Sequence, residues 1–216
     1  MRLARRIAVP LALSGVTLLP SLVLAQKGEA GNGPFGLRMG MSASELRQVL
    51  DVKVTEPDQR PLVLQTDRLP KHHDAFEGYL LIVSDKVGLC KIVGLGETIS
   101  VKPEGKELKS AFEDLERAIE RKYGKHLTRD ELEANSNLGD KKQWMQALHG
   151  KERALAAFWD AEERSTLSDD IFSIVLDARA LSESEGYLRL SYAFNNWDRC
   201  EAEGKQARRQ ASADAL

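Results

Sequence analysis

The chain has 216 residues, with 31 Lys and Arg against 33 Asp and Glu, a formal charge of −2 at pH 7. That balance speaks against nucleic-acid recognition, which needs a cationic face. A content of 42% hydrophobic and 30% charged residues excludes both a disordered chain and a membrane-embedded one. The length suits one domain, or two small halves packed together.

Residues 1–25 have the pattern of a secretory signal peptide. Arg2, Arg5 and Arg6 form a basic start, residues 7–24 carry no charge, and Ala25 is the small residue before Gln26. The uncharged run is 18 residues long and interrupted by Pro10, Gly15 and Pro20. It falls short of the roughly 20 apolar residues of a membrane span, so a retained signal anchor is only the alternative. Cleavage after Ala25 would leave 216 − 25 = 191 residues and a charge of −2 − 3 = −5. No cysteine follows the cleavage position, so no lipid anchor is expected. The expected location is periplasmic or secreted, with no membrane span after cleavage. Residues 26–34 read as a flexible lead-in.

Ser42 and Glu45 make a capping box for a short helix, with Met41 and Leu46 placed as its hydrophobic staple. Gly36 and Gly40 then read as turn residues that admit the chain to the helix. A phosphate loop needs its glycines in a fixed frame after a strand, usually with a lysine, and residues 33–40 offer neither. From residue 60 to 99 the pattern becomes period two or continuously apolar. Residues 61–65 suggest a short strand. Residues 79–83 and 89–93 flank a hairpin turn at 84–88, where Gly88 can take the left-handed position. Cys90 has the parity of Ile92 and is expected in the core. In an oxidising compartment Cys90 and Cys200, 110 residues apart, are expected to be disulfide-bonded; two unpaired thiols are the alternative.

Leu108, Ala111, Phe112, Leu115, Ala118, Ile119 and Tyr123 recur at spacings of three and four, an amphipathic helix that Gly124 ends. A polar region follows, with a short helix expected at 129–134. Trp144 and Leu148 fit a helix ending at Gly150, after which Leu155, Ala157 and Trp159 alternate as a strand would; a single helix running through Gly150 competes. Phe172, Ile174 and Leu176, then Leu188, Leu190, Tyr192 and Phe194, alternate as two antiparallel strands with one buried face. Residues 201–216 are expected to fray as a flexible tail. This order predicts an α+β fold over residues 35–200, an antiparallel sheet packed by helices on one face. It accommodates one unit or two tandem helix-plus-sheet halves, about 35–124 and 125–200.

The candidate chemistry is sparse. Lys71-His72-His73-Asp74 is the one histidine cluster, and no third convergent ligand is identifiable. His126 and His149 read as surface or packing residues. Gly94-Leu95-Gly96 lacks the third glycine of a dinucleotide loop and reads as a strand end. Glu162-Glu163 and Asp169-Asp170 are the raw material of glycosidase chemistry, but beside Ser165 and Ser168 they read as solvated turns. No catalytic, cofactor-binding or metal residues are therefore assigned, and no cofactor is expected. Two of Trp144, Trp159 and Trp197 are expected in the core. Tyr187, Arg189, Ser191 and Ala193 are expected on the outward face of the last strand. Tyr187 and Arg189, residue types enriched at interface hot spots, form a candidate partner-binding pair. Because neither should point into the core, truncating them is expected to leave stability unchanged.

The stretch FGLRMGMSASELRQVL resembles the entry of small bacterial envelope domains that open G-M-[ST]-x-x-[EQ]-[VL]. Among these are the β-lactamase-inhibitor-protein fold and the outer-membrane assembly lipoproteins of the BamE type. The chain lacks the lipidated cysteine of the latter and the disulfide in each repeat of the former. The resemblance implies binding rather than catalysis. The leading expectation is a non-enzymatic protein-binding module, such as an inhibitor or immunity-type protein, whose partner is an envelope protein. An envelope assembly factor and an exported hydrolase using His72 or His73 are the alternatives.

Overall fold

The structure is a computed structural model that describes residues 31–55, 59–168 and 170–214. The expected signal segment and cleavage position lie outside the described residues. The chain enters through left-handed turns at Gly36 (φ 81°) and Gly40 (φ 78°) and starts α1 (Ala43–Val49) with the expected capping box. The Ser42 hydroxyl accepts the Glu45 N–H at 3.2 Å, and the Glu45 carboxylate accepts the Ser42 N–H at 2.8 Å. The Ser42 N–H and, at 2.7 Å, the Ser42 hydroxyl donate to the carboxylate and favour its ionised form, so the Glu45 carboxyl is held below its ordinary range. Met41 and Leu46 are both buried, as the staple requires.

Four strands follow: β1 (Lys53–Val54), β2 (Leu62–Thr66), β3 (Phe76–Ser84) and β4 (Gly88–Gly96). After the two-residue β5 (Ile99–Ser100) comes α2 (Lys106–Tyr123), which ends at Gly124 with φ 75°. The second half contains β6 (Leu127–Leu132), α3 (Trp144–His149), β7 (Arg153–Trp159), β8 (Ile171–Ala180), β9 (Glu185–Phe194) and α4 (Trp197–Asp214). The nine strands among the described residues form one antiparallel sheet, in the order β1-β2-β3-β4-β9-β8-β7-β6 with β5 paired to β9. Each half contributes a helix and four strands, the second with α3 inserted between β6 and β7, and the halves join in one sheet where β4 pairs β9 from Lys91↔Ala193 to Leu95↔Arg189.

The core lies on one face of this sheet. Leu81, Ile92, Leu190, Ile174 and Ala157 come from successive strands, and Leu108, Phe112, Leu115 and Ile119 of α2 close over them. Leu46 of α1 and Trp144 and Leu148 of α3 extend the cover. Helix then strand across Gly150 is what the chain adopts.

Three expectations are corrected. Residues 129–134 do not form a helix: Leu127–Leu132 is β6, the sheet's edge strand, paired along its length with β7. Phe172, expected on the buried side of its strand, is 53% exposed, because an irregularity between Ile171 and Ser173 breaks the alternation there. Residues 201–214 are helical rather than irregular. They continue α4, which is fastened to the β3–β4 hairpin by three attachments. Cys200 is disulfide-bonded to Cys90, with a Cα–Cα distance of 6.4 Å. The Glu203 carboxylate accepts the Ser84 hydroxyl and, at 3.3 Å, the Asp85 N–H. The Asn196 amide donates to Val87 O at 2.9 Å and Leu89 O at 3.1 Å. No helix among the described residues is long and apolar enough to cross a membrane.

Candidate functional site

Helices α1 to α3 leave the second face of the sheet free, and α4 covers only its hairpin end, where Trp197 lies over Lys91. Alternation along β9 sends Leu188, Leu190, Tyr192 and Phe194 to the core and Tyr187, Arg189, Ser191 and Ala193 to this face. Register then fixes their neighbours. Arg189 stands between Leu95 of β4 and Asp177 of β8, and Ser191 between Val93 and Val175. Leu80 and Ile82 of β3 and Phe158 of β7 widen the same strip. Leu80, Ile82, Leu95, Val175, Phe158 and Tyr187 are all partly exposed, so the face is neither a sealed core nor a polar surface.

Its centre is an ion cluster. Arg189 grips Asp177 with two bonds, Nε to Oδ1 at 2.9 Å and Nη2 to Oδ2 at 2.7 Å. Arg179 reaches the same Oδ2. The Asp177 side chain is only 10% exposed, against 36% for Arg189 and 44% for Arg179. Further along, the Lys91 ammonium lies 4.7 Å from the centre of the Trp197 ring of α4. Burial holds its pKa below the ordinary lysine range, and the charge of Arg189 adds to that. Asp177 and Glu201 oppose the shift.

The structure places the expected pair, Tyr187 and Arg189, on this face but modifies the rest of that expectation. Ser191 and Ala193 are buried, at 7% and 6% exposure. Val93, across from Ser191, is buried as well, and Lys91, across from Ala193, lies beneath the Trp197 ring of α4. Arg189 is also not a passive surface residue, since it is bonded to a buried acid.

The other candidates lie in the following contacts. His72 and His73 lie in the loop before β3, where His73 Nδ1 accepts the Ala75 N–H at 3.2 Å. His72 Nδ1 stands 3.4 Å from the Tyr79 hydroxyl. No group of three His, Cys, Asp or Glu among the described residues is placed to hold a metal. A Cβ on Gly94 would lie 2.9 Å from the Phe76 ring, and one on Gly96 2.9 Å from Leu188 O, so both glycines serve close packing. Asp160 Oδ1 accepts the Glu163 N–H at 3.0 Å, which makes residues 160–163 a turn. Asp169 lies outside the described residues. Trp144 and Trp159 are buried, and their indoles donate to Asp130 and to Gly124 O.

Two features escape sequence reading. His126 stacks on Trp159 with ring centres 4.6 Å apart, while its Nε2 meets Glu116 Oε1 at 3.0 Å. An apolar groove of about 380 Å³ also runs beside α2, lined by Ala111, Leu115, Ala118, Ile99 and Leu188. Asp177 itself was findable only in part, because its parity on β8 puts it opposite Ile174 and Leu176. Its cross-strand partner depends on a register that the sequence does not state.

Fold and face together define an α+β protein with a continuous antiparallel sheet, one face covered and the other half-apolar and open. No protein-family model, curated protein or solved structure matches the chain.

Proposed function

We propose that this chain is an exported, non-enzymatic protein-binding module that acts in the periplasm, an inhibitor or immunity-type protein related to the β-lactamase-inhibitor-protein plan. One observation carries the reading. The open sheet face combines a partly exposed apolar strip with a half-exposed Tyr187 and an ordered Asp177–Arg189 pair. A preorganised face of this kind suits a partner, since aromatic and Arg anchors within an apolar surround dominate interface energetics. The Cys90–Cys200 disulfide fits an oxidising compartment. Two halves of helix and strands joined in one sheet support the relationship, because the inhibitor plan repeats helices followed by a sheet in tandem.

Affinity capture from envelope extract, with the recovered protein identified by mass, is the test. Tyr187→Ala should weaken capture of that protein by roughly 1–3 kcal/mol, the hot-spot range, with the circular dichroism of the variant unchanged. Undiminished capture by Tyr187→Ala would remove the sheet face from the proposal. N-terminal sequencing of the exported protein should begin at Gln26.

A further inference from the structure

The charge on the open face is opposite in sign to that of the chain. The sequence as a whole carries −2. The central strands of this face present three cations, Lys91, Arg179 and Arg189, around one acid, Asp177. Their sum is +3 − 1 = +2. With the groups toward the margins included, two cations against three acids, the sum is +2 + 2 − 3 = +1. Arg129 and Glu131 of β6 pair with each other at 3.8 Å. Glu185 stands at the far end of β9, and Lys53 on the outermost strand. Glu201 of α4 approaches Lys91 from the hairpin end, away from the two arginines.

Asp177 cannot neutralise what surrounds it, because one carboxylate is shared by two guanidiniums. The bidentate bond spends two of the five N–H groups of Arg189, so its remaining donors and those of Arg179 can meet a second carboxylate. The planar fork of Arg suits a carboxylate in particular. Beside the arginines lie Leu95 and Tyr187, both partly exposed.

We propose that the partner of this face is an acidic protein surface, which seats a carboxylate between Arg179 and Arg189 and an adjacent apolar side chain over Leu95 and Tyr187. The proposal rests on the sheet-face reading above and adds the partner's chemistry. A protein fits better than an anionic lipid surface. Lipid insertion needs protruding apolar side chains, and the apolar residues of this strip are only partly exposed, level with their neighbours. Phe172 and Leu181, the exposed large hydrophobics among the described residues at 53% and 51%, stand at opposite ends of β8 rather than in the strip.

The test is an amide-resonance titration of the mature protein with three probes: a short peptide of alternating glutamate and phenylalanine, its lysine-for-glutamate counterpart, and phosphatidylglycerol vesicles. The acidic peptide should shift the resonances of Arg179, Tyr187 and Arg189, and its affinity should fall roughly tenfold from low to high salt, as expected for partly exposed charge pairs. Arg179→Gln leaves the Arg189–Asp177 pair in place. It should weaken the acidic peptide roughly three- to tenfold and lower the unfolding midpoint less than Arg189→Ala does. Equal binding of the lysine peptide, shifts confined to other strands, or preference for the vesicles would overturn the proposal. Capture from extract reads the face independently of the probes' charge. If capture depends on Tyr187 while the acidic peptide fails, the docking surface stands and the acidic partner falls alone.

Discussion

Arg189→Ala is the substitution that most directly probes the open face, because the residue has a structural partner as well as a proposed external one. The Asp177 side chain is 10% exposed and takes two charge-assisted bonds from Arg189, at 2.9 and 2.7 Å. Removing one partner of a fully buried pair costs about 3–5 kcal/mol, mostly from stranding the other charge. Two features reduce that figure. Arg179 remains bonded to the same carboxylate, and Arg189 is itself 36% exposed and so screened by water. The expected loss is therefore ~1.5–3 kcal/mol, which for a chain of this length lowers Tm by about 2–4 °C per kcal/mol. This replaces the expectation from sequence that stability would not change. Asp177→Ala alone should cost less, since it removes the buried carboxylate and leaves cations that can turn to solvent. The double variant should then lose clearly less than the sum of the two, with a coupling of at least ~1 kcal/mol. Urea unfolding of the mature protein and its three variants measures the cycle. A loss below about 0.5 kcal/mol for Arg189→Ala, the ordinary surface range, or a coupling near zero, would show that water replaces the guanidinium and that the cluster is not a buried one.

Three further outcomes follow from other parts of the fold. The Cys90–Cys200 bridge closes a separation of 110 residues, so Cys90→Ser should destabilise the protein by about 2–5 kcal/mol, read by urea unfolding; oxidised and reduced wild type should differ in mass by two hydrogens. Gly88→Ala would meet a double obstacle, φ of 71° and a Cβ only 2.1 Å from Gly40 O. It should cost ~3 kcal/mol or more, whereas Ala at the open position of Gly78, where a Cβ meets nothing within 4 Å, should be far milder. Burial raises the phenol pKa of Tyr79, and raises that of Tyr192 well above 10.0. Both phenols therefore keep their protons in the folded state where the unfolded chain loses them, and stability present below pH 10 should decline as pH climbs through the folded values. Tyrosinate absorbance should rise in two stages, the later one coinciding with unfolding.

Elements with a strong one-sided pattern were legible. The helix over Leu108–Tyr123, the hairpin turning at Gly88 and the two last strands all bury alternate or every third or fourth residue, and each forms where that pattern runs. The failures share a cause, which is that their stabilisation is not carried by a run of apolar side chains. β6 is held to β7 by backbone bonds, and its side chains Thr128 to Glu131 are exposed, so no alternation survives to be read. In α4 the attachment is a disulfide, the buried carboxylate of Glu203 and, just before the helix, the Asn196 amide on the hairpin carbonyls. A helix fastened at three points shows no stripe. Phe172 misled because a local irregularity in β8 shifts the parity by one, and parity is all that a strand pattern offers.

The same reasoning explains why the candidate surface was only half visible. Tyr187 and Arg189 could be assigned to an outward face from β9 alone, but what they face is decided by register at a junction between sequence-distant strands. Leu95 meets Arg189, and Val93 meets Ser191, only because β4 pairs β9 in one frame. A slip of one residue would exchange core and open faces along the whole strand. That frame is fastened at its hairpin end. Cys90 immediately precedes Lys91, the first residue of the β4–β9 pairing, and Cys200 lies just beyond Ala193, its partner. Trp197 then closes over Lys91, and Asn196 ties the turn into the hairpin carbonyls. The disulfide and the first turns of α4 thus hold the two halves in the register on which the open face depends. A helix that contributes little to the apolar core acquires, on this reading, its purpose: it fixes the seam across which Lys91 and Leu95 from the first half meet Arg189 and Asp177 from the second.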